Sequence, residues 1–145
     1  MPGRRPVSYL LDTCVLSEYT QLVPDPKVLA WIDSIAETRL YVSALSLGEI
    51  RQGAAHIANT KKSARLMEWL ELQLLPRFEH RVLSVDTEIA LVWGELRGSL
   101  LRKGKPASLF DSLIAATAKV HGFSVVTRNV RDFKNFEVGI INPWS

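Results

Sequence analysis

The chain has 145 residues, 47% hydrophobic and 23% charged, the balance of one soluble globular domain rather than a disordered or fibrous polypeptide. No uncharged stretch exceeds nine residues, whereas a membrane-spanning helix needs roughly 20 apolar ones. The formal net charge of +3 is too small to diagnose a partner, and one cysteine, Cys14, excludes an internal disulfide or a cysteine-built zinc site.

Residues 1–6 carry two arginines and are expected to form a basic N-terminal arm. The apolar run Val7–Leu11 predicts a buried strand, and it is too short for a signal-peptide core. It stops at Asp12-Thr13, after which Val15–Gln21 begins a helix. Pro24 and Pro26 punctuate the chain before a helix with Val28, Leu29, Ile32 and Ile35 at helical spacing. Leu40–Ser43 predicts a second strand and Ala44–Ile57 a third helix. Lys61 to Phe78 predicts a long amphipathic helix broken near Pro76, with Leu66, Met67, Leu70 and Leu74 on one stripe. Its apolar Trp69 and Leu70–Leu75 fit core packing better than an exposed interface.

Arg81–Val85 predicts a third strand. Asp86 is placed to cap a helix reaching about Lys103, which the Lys103-Gly104-Lys105-Pro106 turn ends. A helix from Leu109 to His121 should stop at a left-handed Gly122. Phe123–Thr127 and Val138–Ile141 predict the last two strands. Strands alternating with helices imply crossover connections, hence a three-layer α/β/α sandwich on a mostly parallel sheet, one domain over residues 1–145. In such sheets the active site gathers at the carboxyl ends of the strands. The residues to inspect are therefore Asp12, the segment after Ser43, and Thr127–Asp132.

Charge is unevenly spread. Residues 1–96 hold ten basic and twelve acidic residues, whereas residues 97–134 hold eight basic residues against only Asp111 and Asp132. That basic segment, with Arg102, Lys103, Lys105, Arg128 and Arg131, suits phosphate binding as well as a solvated cationic face. The carboxylates are the sharper signal. Asp12, directly after the first strand, suits a metal ligand or nucleophile and equally a helix cap. On periodicity Glu49 is a solvated glutamate away from the apolar stripe of its helix. Asp111 enters a strongly apolar helix, where a lone charge is costly and a cation would compensate it. Asn129 and Asp132 suit a polar turn as well as a site. Together these residues offer oxygen donors with no His or Cys cluster, a set that suits Mg²⁺ or Mn²⁺ rather than zinc.

Leu10-Leu11-Asp12-Thr13, Ser46-Leu47-Gly48-Glu49-Ile50, Phe110-Asp111-Ser112-Leu113-Ile114-Ala115-Ala116-Thr117-Ala118 and Thr127-Arg128-Asn129-Val130-Arg131-Asp132-Phe133 occur in the order found in PIN-domain proteins. The closing Asn142-Pro143-Trp144 also resembles the ending of VapC- and FitB-type toxins. The resemblance implies a Mg²⁺- or Mn²⁺-dependent ribonuclease, the toxin of a type II toxin–antitoxin pair, while the short first apolar run, the lack of a long apolar stretch and the single cysteine lead to the expectation of a cytoplasmic chain. By position it implies Asp12 and Asp111 as principal metal ligands, with Glu49 and Asp132 completing the acidic pocket directly or through water. Thr13 and Asn129 would orient ligands or substrate. It further implies hydrolysis of RNA to a 5′-phosphate and a 3′-hydroxyl, a homodimer, a cognate antitoxin over the acidic groove, and operator DNA bound only through that antitoxin. Ser112 departs from the pattern, since the residue after the helix aspartate is often alanine or another apolar residue.

Two other functions compete. One is a binding module that acts with its antitoxin on operator DNA and cuts little, against which all four acids are intact. The other is an aspartyl phosphotransferase, whose second aspartate two residues after the first is replaced here by Cys14.

Overall fold

The computed structural model describes residues 7–145, so the expected basic arm at residues 1–6 lies outside the described residues. Five parallel strands form one sheet in the order β3-β2-β1-β4-β5. They are β1 (Tyr9–Leu11), β2 (Leu40–Ser43), β3 (Val82–Leu83), β4 (Ser124–Val126) and β5 (Ile140–Ile141). Strand β2 has the predicted bounds, and each of the other four lies inside the apolar run that predicts it but is shorter. The first two end where a polar side chain turns the backbone into a helix. Asp12 caps α1 (Thr13–Ser17), and Ser43 Oγ accepts the Leu45 N–H at 3.1 Å at the head of α3 (Ala44–His56). The predicted Val15–Gln21 helix is thus α1 followed by a 3₁₀ turn at Glu18–Thr20.

Side chains alternate across the strands and build a core on each face. Leu11, Val42 and Val126 pack with Val15, Val28, Ile32, Ile50, Leu70 and Phe78, from α1, α2 (Pro26–Ser34), α3 and the segment after it. Leu10 and Val125 pack on the opposite face with Leu100, Ile114, Ala115, Ala118 and Phe133. Those come from α6 (Thr87–Arg102), α7 (Leu109–His121) and α8 (Val130–Phe133). The period-two switch between neighbouring residues produces the three-layer α/β/α sandwich. Among the described residues no helix is long and apolar enough to cross a membrane.

The expected break near Pro76 is absent. Helix α4 (Thr60–Trp69) runs on through a π-helical stretch, Leu70–Leu74, into α5 (Leu75–Arg77). The wide turn has already interrupted the usual i→i−4 bonding, so a proline in the first turn beyond it costs little. Leu70 and Leu74 are core residues, while Leu72 is 67% exposed. At the amino ends of the strands Arg77 and Arg81 pair with Glu37 at 2.9 and 2.8 Å. The hydrogen bond from Arg77 is the main reason its carboxyl sits below the ordinary range, with Arg81 adding to it.

Helix α6 starts at Asp86, whose carboxylate accepts the Ile89 N–H at 2.9 Å. Helix α7 ends at Gly122 with φ 69° and ψ 29°, the left-handed geometry in which glycine carries no Cβ penalty. The segment after β4, predicted as a polar loop, winds into α8 and a 3₁₀ turn at Lys134–Phe136, because Phe133 and Phe136 anchor it in the core.

Candidate active site

Strand order directs the chemistry to one place. From β1 the chain moves outward through β2 to β3, and β4 then returns to the other side of β1. The order reverses between β1 and β4, and the crevice at such a reversal is where α/β sheets bind ligands. Asp12 follows β1 there, and Thr127 follows β4 beside it.

Asp12 is only 5% exposed, and three groups hold it. The Thr13 N–H donates to Oδ1 at 2.9 Å, and the Thr127 hydroxyl donates to Oδ2 at 2.9 Å. The Cys14 thiol lies 3.8 Å from Oδ2. Thr127 is itself fully buried and accepts the Asn129 N–H at 3.0 Å, so one hydroxyl ties the carboxylate to the following loop. Asp12 therefore is the helix cap considered from sequence, and the same bonds fix its orientation. Burial is the main force raising its pKa; the hydrogen bonds from Thr127 and Thr13 oppose this, and the charges of Asp111 and Glu49 add to it. Burial also pushes the Cys14 thiol up, which leaves it a poor nucleophile.

Asp111 lies in the first turn of α7, half-buried, its N–H bound to Ser108 Oγ at 3.0 Å. Its pKa is raised by burial first and then by the charge of Asp132, against the Ser108 hydrogen bond. Glu49 is exposed on α3, and Asp132 is exposed on α8. The fold thus brings carboxylates from four separate elements within electrostatic reach in a chain, Glu49 to Asp12 to Asp111 to Asp132. None of the four forms an ion pair with a described residue.

Thr13 lines a groove of about 780 Å³ together with Glu49, Lys62, Arg65 and Trp69, and its buried hydroxyl has no partner among the described residues. Asn129 precedes α8, but its side chain makes no cap. Of the five cations singled out from sequence, Arg131 lines a second groove of about 390 Å³ with Asp111 and Asp132. Arg128 stacks on the Trp144 ring at 4.5 Å. Lys103 and Lys105 stand exposed in the turn before α7, while Arg102 opens on a different cleft with Glu88, Glu95 and Lys119. Sequence reasoning missed Thr127 as the holder of Asp12, and Lys134 as a second cation beside the acids.

The departure at Ser112 has a structural partner. Its fully buried Oγ accepts the Trp93 Nε1–H from α6 at 2.9 Å, and lies 2.6 Å from the Ser108 carbonyl oxygen to which its own proton is donated. The turn that carries Asp111 is thereby pinned to α6. Ser112→Ala strands the indole N–H and is expected to lower unfolding free energy by about 1–3 kcal/mol in urea titrations, with part recovered in the Trp93→Phe double variant. A Ser112→Ala protein as stable as the parent would show that the bond contributes nothing.

Do these residues fit a metal? Among the described residues, no three His, Cys, Asp or Glu side chains form a ready-made cage. The donors are carboxylates, neighbours repel one another, and burial disfavours their charge. A hard divalent cation that keeps several of its waters and takes one or two carboxylates fits that set, whereas a closed zinc centre does not.

A PIN-domain family model matches residues 9–138. The chain is 39% identical over 135 residues to Toxin FitB of Neisseria gonorrhoeae, covering 93% of this chain and 97% of that protein. Identity to VapC ribonuclease Y4jK of Sinorhizobium fredii is 38% over 135 residues, covering 93% and 96%. The crystal structure of FitAcB from Neisseria gonorrhoeae matches the fold with a TM-score of 0.88 at 39% identity, over 94% of this chain and 98% of that one. Fold and relatives agree: the chain belongs to the PIN-domain family and is a relative of its FitB and VapC members.

Proposed function

We propose that the chain is a Mg²⁺- or Mn²⁺-dependent endoribonuclease, the toxin of a toxin–antitoxin pair. The observation that carries this is the line of four mutually repelling carboxylates, without paired cations among the described residues, at the sheet's switch point. The relative named VapC ribonuclease supports RNA as the substrate, and the one named Toxin FitB supports an antitoxin partner. The whole chain acts as one cytoplasmic domain and pairs as a homodimer, reaching operator DNA only through its antitoxin.

Asp12 and Asp111 would hold the ion, with Glu49 and Asp132 beside them directly or through water. When bound, the ion would polarise a phosphodiester oxygen and lower the pKa of a bound water. The protein's own part is preorganisation. Thr13 and Thr127 hold both oxygens of Asp12 in place, and Trp93, through Ser112, fixes the turn under Asp111. Thr13 and Asn129 would orient ligands or substrate. In-line attack of water on the phosphorus, with the P–O3′ bond broken and the 3′ oxygen leaving, would give a 5′-phosphate and a 3′-hydroxyl.

Lys103, Lys105, Arg128 and Arg131 supply the positive field for the RNA backbone, while Arg102 opens on the separate cleft with Glu88 and Glu95. Lys103→Ala with Lys105→Ala is expected to weaken RNA binding uniformly across sequences. Its salt slope should fall by up to about 1.4, two phosphate contacts at ~0.7 each on a single strand. Anisotropy titrations over a range of salt check this, and an unchanged slope removes that turn from the interface. The function itself is tested by metal-dependent RNA cleavage with the antitoxin removed.

A further inference from the structure

We propose that the groove between the entry to α7 and the 131–136 turn seats one unstacked nucleotide of the RNA, next to the phosphate that is cut. This rests on the nuclease proposal and adds to it a base-selecting site.

The groove measures about 390 Å³, and Asp111 and Asp132 stand in its wall, so it opens directly onto the acidic centre. Arg131 and Lys134 line it as well. Both are exposed, and neither forms an ion pair with a described residue, despite having two carboxylates in the same groove. Cations left unpaired beside acids are available to an incoming anion. The rest of the lining mixes apolar and polar groups: exposed Pro106 and half-buried Ala107, the core residues Leu100 and Phe136, and exposed Ser108 and Asn135.

That combination matches a nucleotide part by part. The Pro106 and Ala107 side takes the base face, an amide offers both a donor and an acceptor to a base edge, and two cations take the outer phosphate. Concave sites with an apolar lining and a few placed polar groups are the usual form of small-ligand pockets. An acidic peptide would also meet the cations, but it would bring its carboxylates against Asp111 and Asp132. A nucleotide keeps its anionic charge on the phosphates at its two ends. One lies toward the ion held by the acids and the other on Arg131 and Lys134.

The test uses the full chain and a short single-stranded RNA of random sequence, with binding read by anisotropy and cleavage read by sequencing the products. Arg131→Ala with Lys134→Ala is expected to raise KM roughly tenfold, with kcat little changed. Asn135→Ala should flatten the base preference at one position beside the cut, which Lys103→Ala with Lys105→Ala leaves in place. All these side chains are exposed, so the variants should retain the parent's circular dichroism and melting. If the Arg131/Lys134 and Asn135 variants cut with the parent's KM and the parent's product pattern, the groove is not the seat, while the nuclease stands. If the parent binds RNA, loses that binding with Arg131 and Lys134, and cuts nothing, the groove stands as a nucleotide site and hydrolysis falls.

Discussion

Asp12→Asn and Asp111→Asn are each expected to lower the single-turnover rate of RNA cleavage about a thousandfold, equivalent to ~4 kcal/mol of lost transition-state stabilisation. Both remove a charge from the positions proposed to hold the ion, but they differ in what else they disturb. Asp12 accepts from Thr13 on one oxygen and from Thr127 on the other, so its amide must reverse one of those bonds. Asp111 has its Ser108 contact and a more open setting, so its substitution is the cleaner test. Glu49→Gln and Asp132→Asn should cost about tenfold to a hundredfold, the range for groups acting on a metal through water. Added Mn²⁺ should not restore the Asp111→Asn rate to the parent's, and full rescue would place Asp111 outside the ion's ligands.

Metal-free Asp111→Asn protein should melt higher than the parent at neutral pH. The sign follows from the pKa shift. Burial, with Asp132 adding to it, raises the Asp111 carboxyl in the folded state above its ordinary 3.8. The folded protein then binds that proton more tightly than the unfolded chain does. The stability it contributes is full below the ordinary value and is lost as pH rises through the raised one. At neutral pH the ionised group opposes folding, and the neutral amide relieves it. The advantage should therefore disappear as pH falls below the ordinary 3.8, where Asp111 is protonated in the folded and the unfolded chain alike. Mg²⁺ should reverse the order, raising the parent's melting temperature by mass action and the variant's far less. A parent that melts above the variant in chelator at neutral pH would mean that Asp111 is paired rather than repelled.

Much of the site was legible because its carboxylates sit in short motifs next to predictable turns. Asp12 ends an apolar run, and Asp111 interrupts one. What could not be read were partners supplied from far along the chain. Thr127 reaches Asp12 across 115 residues, only because β4 pairs with β1, and no local pattern shows that pairing. The Trp93 indole finds Ser112 for the same reason, through α6 packing on α7. Glu49 looked solvated by periodicity and is indeed exposed, yet its exposed side faces the crevice rather than open surface. Helical period locates the buried stripe but does not distinguish bulk water from a groove. The same limit applies to the cations. Arg102 and Arg131 read alike in sequence, yet one lines a cleft with Glu88 and Glu95 and the other lines the groove with Asp111. The proline signal misled for a local reason, since the π stretch before Pro76 had already changed the bonding that a proline would break.

Cleavage of RNA by the antitoxin-free protein, in Mg²⁺ or Mn²⁺ and then in excess chelator, is the most direct measurement. The expected result is cutting that appears with metal, stops with chelator, leaves 5′-phosphate ends, and is lost in both Asp12→Asn and Asp111→Asn. Cutting that persists in chelator or survives both substitutions would contradict a carboxylate-held ion. So would a folded, metal-supplied protein that leaves every RNA intact.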